Sequence, residues 1–215
     1  MKFIDFFAGV GGFRRGMELA GHECVGFCEF DKFATASYTS MHLLTQEQRE
    51  FLDKMPLKQR QKEILKEEYR NGEWYANDIR RVYAGDIPKA DCWCFGFPCQ
   101  DISVAGKQLG FQGNRSSLFF RVIYLIGQLE EENRPTYLFV ENVKNLLSVN
   151  GGWDFARLLI EMERGGMMQN GKCSTPKISE CHRTEKGVSL SDILEAEAPQ
   201  KYFLSKEQTE KIVFK

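Results

Sequence analysis

The chain opens on an apolar run, KFIDFFAG (residues 2–9), that ends in glycine and reads as a short strand beginning at once. GGFRRGMELAGH (11–22) follows with helical spacing of its apolar positions and Gly21 as a stop. ECVGFCEFD (23–31) is a second strand and KFATASYTSMH (32–42) a second helix. This β-α-β-α alternation predicts a mostly parallel sheet with helices on its faces.

Residues 43–80 change character and read as a helical insertion between elements of the sheet. TQEQREFLDKM carries a Thr45…Gln48 capping box and ends at Pro56. LKQRQKEILKEEYRNG (57–72) reads as one helix closed by Asn71-Gly72. The strand-helix rhythm resumes with RVYAGDI (81–87) and ADCWCFGF (90–97) as strands, a helix over residues 116–133, the strand TYLFVEN (136–142) and a helix over 153–164. After Gly165-Gly166 the pattern weakens. Residues 1–165 form one expected unit, and 166–215 a tail of different character with two short helices at its end.

Bulk properties narrow the class. With 215 residues the chain has the length of one domain and an extension, and it can bury a substantial core. Mean hydropathy is −0.40, and no run of 18 apolar residues marks a membrane span. The N-terminus lacks the basic and long apolar regions of a signal peptide. Cys24, Cys28, Cys92 and Cys94 sit in apolar runs, as reduced core thiols of a cytoplasmic protein do. Neither Cys92-x-Cys94 nor Cys173…Cys181-His182 has the paired spacing of a zinc site, so no metal is expected. A net charge of −1 does not fit a protein that coats nucleic acid. The clusters KQRQK and IRRV read as solvated helix faces.

The glycine turn DFFAGVGGF places Gly9, Gly11 and Gly12 between the first strand and helix, where backbone can approach a ligand closely. Glu29, at the end of the second strand, is positioned to accept from ribose hydroxyls. The spacing G-x-G-G departs from G-x-G-x-x-G, which fits a ribose-bearing ligand without a pyrophosphate: S-adenosylmethionine. Asp86, at the end of the predicted strand 81–87, is a second acid able to accept from an adenine amino group. GFPCQD sets Cys99 just past the strand 90–97, and Glu141 ends the strand 136–142. Carboxyl ends of parallel strands share one crevice, so thiol, carboxyl and glycine turn are expected to face each other. Carbon 5 of cytosine needs this set: a thiolate adds to C6, a carboxylic acid at N3 stabilises the resulting charge, and C5 becomes nucleophilic enough to take a methyl group. The base must first leave the duplex.

FAGVGGF, GDI, GFPCQDISVAGKQLGF, RSSLFF and ENV resemble, in order and spacing, the motifs of the DNA cytosine-5 methyltransferases over residues 1–164. The resemblance implies a Rossmann-like, S-adenosylmethionine-dependent methyltransferase fold acting on double-stranded DNA, in a restriction-modification or phage context. It implies Cys99 as nucleophile and Glu141 at cytosine N3. Phe7, Gly9 and Gly11 would line the cofactor, with Glu29 on its ribose, Phe30 packed on adenine and Asp86 and Ile87 at the adenine edge. Pro98 counts among the cofactor-lining residues and shapes the base pocket. Residues 100–115, with Gly106, Gly110 and Gly113, correspond to the mobile loop that closes over DNA, and place Gln100, Ser103 and Arg115 near nucleic acid.

The sequence also departs from the family. It lacks a Q-x-R-x-R motif, the target-recognition domain and the C-terminal GN-S/A motif. Three explanations stand beside one another: half of a split enzyme completed by a second polypeptide, a truncated gene, or an excised fragment. A sheet stopped at its fifth strand exposes an edge, which predicts a homodimer or a complementing chain. Competing functions are a non-catalytic remnant that binds cofactor or protein, and a nicotinamide or flavin oxidoreductase, which leaves GFPCQ and ENV unexplained.

Overall fold

The computed structural model describes residues 1–97, 117–141, 153–165 and 167. In chain order these form β1 (Lys2–Phe6), α1 (Gly12–Leu19), β2 (Glu23–Cys28), α2 (Lys32–Tyr38), α3 (Gln46–Asp53), α4 (Leu57–Glu63), β3 (Trp74–Ala76), β4 (Cys92–Gly96), α5 (Ser117–Gln128), β5 (Tyr137–Glu141) and α6 (Trp153–Arg164). The sheet has five strands in the order β3-β2-β1-β4-β5. Every pairing is parallel, with Phe6 opposite Cys28 and Phe95, and Gly96 opposite Glu141.

Alternation along the strands sorts the core into layers. Ile4, Phe6, Trp93, Phe95, Leu138 and Val140 face α5 and α6, where Phe119, Val122, Ile126, Leu158 and Met162 complete the larger cluster. Phe3, Cys92, Cys94 and Phe139 face α1 through Met17 and Phe13. Phe27 stacks on Tyr38 of α2 with ring centroids 4.0 Å apart. Each such large side chain, fully buried, stabilises the fold by roughly 1.5–3 kcal/mol. The sheet is therefore doubly wound, and the strand order reverses between β1 and β4. A crevice opens at such a point, outside the carboxyl ends of the strands.

Several boundaries differ from the sequence reading, among them the helix expected over 116–133, which ends at Gln128 before a 3₁₀ turn over Glu131–Asn133. The third strand is Trp74–Ala76, inside the 43–80 stretch, while residues 81–87, read as a strand, begin at the end of a 3₁₀ turn over Ile79–Arg81 and contain a second at Ala84–Asp86. Asp78 explains the first turn: its side chain accepts from the Arg80 N–H at 3.1 Å and caps it. Trp74-Tyr75-Ala76 is short and follows a charged stretch, so its periodicity does not stand out. The helix expected over 57–72 stops at Glu63 and resumes as a 3₁₀ turn over Glu67–Arg70, before left-handed Asn71 and Gly72. The helix expected over 32–42 keeps α geometry to Tyr38 and widens into a π turn over Thr39–Leu43. The Thr45 capping box forms as read, with Gln48 answering Thr45 at both atoms. Among the described residues, no helix is long and apolar enough to cross a membrane.

A polar cluster lies buried under α1. Arg14 is 5% exposed, donates to both carboxylate oxygens of Glu73 at 2.7 Å and to Glu18 at 2.8 Å, and sits over the Tyr38 ring. Asp5, in the centre of β1, is fully buried; its Oδ2 accepts the Arg14 N–H at 3.3 Å and its Oδ1 finds no hydrogen bond among the described residues. Burial pushes the Asp5 carboxyl well above its ordinary range, against the opposing pull of the Arg14 N–H. A carboxyl raised above its unfolded value of about 3.9 takes up a proton on folding. Stability then falls as pH rises from about 4 towards the folded value and levels off above it. Asp5→Asn keeps an oxygen for the Arg14 N–H and needs no proton. It is expected to flatten this slope and to raise stability at pH 7–8 above the parent's. Urea titrations of both proteins from pH 4 to 8 check this; parallel pH profiles would show that Asp5 does not titrate on unfolding.

Candidate active site

The turn after β1 is held in a shape that few residues adopt. Phe7, Gly9 and Gly11 all have left-handed backbones, with φ of 57°, 56° and 89°. Glycine takes this conformation freely, whereas for Phe7 it costs roughly 1–2 kcal/mol. Backbone strain of this kind concentrates at ligand sites. The Gly11 N–H returns to the Ala8 carbonyl at 2.8 Å, and Ala8 N–H reaches the Cys28 carbonyl at 3.1 Å. Gly11 then caps α1, whose amino end points back to the turn.

Glu29 stands where β2 ends and ties the neighbouring backbone together. Its Oε2 accepts the Gly9 N–H at 2.8 Å and its Oε1 the Asp31 N–H at 2.7 Å. Its own N–H bonds the Ala76 carbonyl of β3. Each carboxylate oxygen has a second lone pair, so both retain capacity for hydroxyl donors. Phe30, next along, is 72% exposed and lies under the Arg80 guanidinium, 5.6 Å from its ring centre. Asp86 is exposed within its 3₁₀ turn rather than at a strand end, while Ile87 is buried in the main core. Arg121 of α5 fixes this segment by donating to the Ile79 and Val82 carbonyls at 3.2 and 2.6 Å.

On the other side of the switch point, Glu141 ends β5 in register with Gly96 of β4. A Cβ at residue 96 would lie 2.9 Å from Glu141 Oε2, so only glycine leaves the carboxylate its place. Phe97 is buried against Phe119. The chain then leads into Pro98 and Cys99, which lie outside the described residues, as do Gln100, Ser103 and Arg115. The glycine turn, Glu29 and Glu141 thus come together at one end of the sheet.

The described cysteines offer no rival nucleophile. Cys24, Cys28, Cys92 and Cys94 are all buried. Burial pushes the Cys24 and Cys28 thiols up to about 12 and the Cys94 thiol well above its usual range. Thiols held protonated at neutral pH are inert.

Sequence reasoning passed over Asp5, Arg14, His42, Arg70 and Glu73. An acid inside the apolar run KFIDFF was the one visible signal. The others acquire their decisive partners through contacts distant in sequence, Arg14 with Glu73, Arg70 with Thr39 and His42 with Val10.

A doubly wound parallel sheet with this turn is the Rossmann-like fold of the C5 methyltransferases. Dnmt2 methyltransferase of S. pombe aligns over 82% of this chain and 43% of its own, with a TM-score of 0.51 at 15% identity. A putative DNA modification methyltransferase from an E. coli prophage aligns over 79% of this chain with a TM-score of 0.50 at 18% identity. The family model for C-5 cytosine-specific DNA methylase matches residues 1–66 and 54–169. The chain belongs to that family. Among its relatives, type II methyltransferase M.HhaI of Haemophilus parahaemolyticus is 36% identical over 152 residues, and M.DsaV of Dactylococcopsis salina 32% identical over 164. These matches cover 71% and 76% of this chain but 36% and 37% of the relatives' own length.

Proposed function

We propose that this chain carries the cofactor-binding and nucleophilic part of a DNA cytosine-5 methyltransferase, transferring a methyl group from S-adenosylmethionine to C5 of cytosine. The observation that carries the reading is the placement of the left-handed glycine turn, Glu29 and Glu141 at the same ends of β1, β2 and β5, on either side of the switch point, in a chain that belongs to this family. The residues fit the cofactor. A turn built from Gly9 and Gly11 admits close approach, Glu29 keeps lone pairs for ribose hydroxyls, and exposed Phe30 offers a face for adenine. The family resemblance adds Phe7, Asp86, Ile87 and Pro98 to the cofactor-lining set, the last of them outside the described residues.

S-adenosylmethionine, when bound, supplies an electrophilic methyl group. Cys99 as thiolate adds to C6 of a flipped cytosine, and the displaced electron pair is carried towards N3. Glu141, as carboxylic acid, donates its hydrogen bond there and stabilises the charge. Once C5 is methylated, loss of its proton re-forms the C5–C6 double bond and expels the Cys99 thiolate. Gln100, Ser103 and Arg115 then act on the DNA side. Double-stranded DNA is the partner, and a complementing polypeptide or second copy is the further one, because β5 is the last strand of the sheet among the described residues.

The test uses the full chain with S-adenosylmethionine and a duplex carrying 5-fluorocytosine, with and without a candidate second polypeptide. Fluorine cannot leave as a proton does, so a competent site traps itself. A denaturation-resistant adduct mapped by peptide mass spectrometry to Cys99 is expected. Cofactor binding without an adduct in any combination would favour the non-catalytic remnant instead.

A further inference from the structure

His42 lies far from the glycine turn in sequence, yet its Nε2 is 2.9 Å from the Val10 carbonyl oxygen. A carbonyl only accepts, so Nε2 carries the proton. The imidazole covers Gly11 so closely that a Cβ there would overlap the ring, and it tilts against Tyr38 with centroids 5.0 Å apart.

The chain goes to some length to place it. α2 widens at Thr39–Leu43 into a π turn, in which the Leu44 N–H reaches back to the Thr39 carbonyl at 3.3 Å. Such turns carry an extra residue, cost stability, and recur at functional positions. This one is stitched from several sides. Thr39 Oγ1 donates to the Thr35 carbonyl at 2.9 Å and accepts from buried Arg70 at 2.5 Å. Asn71 Nδ2 donates to the Leu43 carbonyl at 2.6 Å. Arg70 in turn lies over the Tyr75 and Phe27 rings. The far end of the 43–80 stretch thereby fixes the turn that aims His42.

We propose that His42 is a positioning residue for the glycine turn: with Glu29 holding Gly9 from one side, its imidazole holds Val10 from the other and keeps the turn in its left-handed, ligand-receiving shape. Val10 itself is 54% exposed and flanked by glycines with left-handed backbones, so it contributes little packing of its own. The geometry stands on its own; its consequence for affinity rests on the cofactor reading above.

Two variants test it, His42→Ala and His42→Gln, the latter able to donate from its amide nitrogen to the same carbonyl. Amide hydrogen exchange at Gly9 and Gly11 is measured by NMR, S-adenosylmethionine affinity by calorimetry, and the thermal midpoint by circular dichroism. His42→Ala is expected to speed exchange at Gly9 and Gly11 by about tenfold and to weaken cofactor binding by about 3–10-fold. Its midpoint should stay close to the parent's, and His42→Gln should recover most of both losses. Parental exchange and affinity in His42→Ala would overturn the proposal. So would a loss spread evenly over the whole chain with a matching fall in midpoint, which marks a merely structural contact. If the parent itself binds no S-adenosylmethionine, the cofactor reading fails; exchange at Gly9 and Gly11 then decides the positioning role alone, acceleration supporting it and no change overturning it.

Discussion

Cys99→Ala is expected to abolish the covalent adduct with 5-fluorocytosine DNA, and Glu141→Gln to slow its formation by about 10²–10⁴-fold. Neither should change S-adenosylmethionine affinity more than about twofold, because neither residue belongs to the glycine turn or to β2. The two effects differ in kind. Without the thiol no bond to C6 forms. In the Glu141→Gln variant an amide still donates a hydrogen bond at N3 but has no acidic proton to give, so attack proceeds against a larger barrier. Gly96 leaves the Glu141 carboxylate room over the end of β4, and the neutral amide has the same shape, which keeps the comparison chemical. Adduct formed per hour, resolved on denaturing gels for parent and both variants, measures it. Equal rates for parent and Glu141→Gln would remove the carboxyl from the chemistry.

Arg14→Met should destabilise the chain by about 3–5 kcal/mol, towards the lower end because Glu73 keeps some contact with water. The guanidinium serves Glu73 with two bonds, Glu18 with a third and the Tyr38 ring with its face. Removing it strands the Glu73 carboxylate beside Cys24. A midpoint lowered by roughly 6–12 °C is the calorimetric counterpart in a chain of this size. Replacing Glu73 by Leu in the same protein should recover much of the loss, since an apolar pair of similar volume often equals or betters a buried ion pair. A double variant no more stable than Arg14→Met would show that the cost is lost packing instead.

Much of the architecture was legible in the sequence, for identifiable reasons. Strands β1, β2, β4 and β5 are mostly apolar runs, interrupted inside β1 by Asp5, which is how fully covered parallel strands read. The Thr45 capping box and the stop at Gly21 are local chemistry, visible without tertiary context. β3 escaped because three residues cannot show a period, and because Val82 and Ile87 imitate a strand while their segment is held by Asp78 and Arg121. The same error carried Asp86 to a strand end it does not occupy. Glu29 and Glu141 were readable as acids closing apolar runs. The roles of His42 and Arg70 were not, since both arise from a π turn that no side-chain pattern announces.

The edge strand adds a consequence for anyone reshaping this molecule. Ala76 accepts the backbone N–H of Glu29, and Arg70 and Asn71 secure the turn at Thr39–Leu43. The charged excursion therefore cannot be excised between residues 43 and 80 as a detachable cassette. Its removal would strip the rim from the sheet and loosen the acid beside the turn. Shortening is tolerable only beyond Leu52, because Gln48 of α3 donates to the Glu68 carbonyl and pairs with Asn71, and Leu52 packs on Ile64 and Tyr69. A library of length variants should therefore put its junctions inside residues 53–63 and leave 64–76 intact.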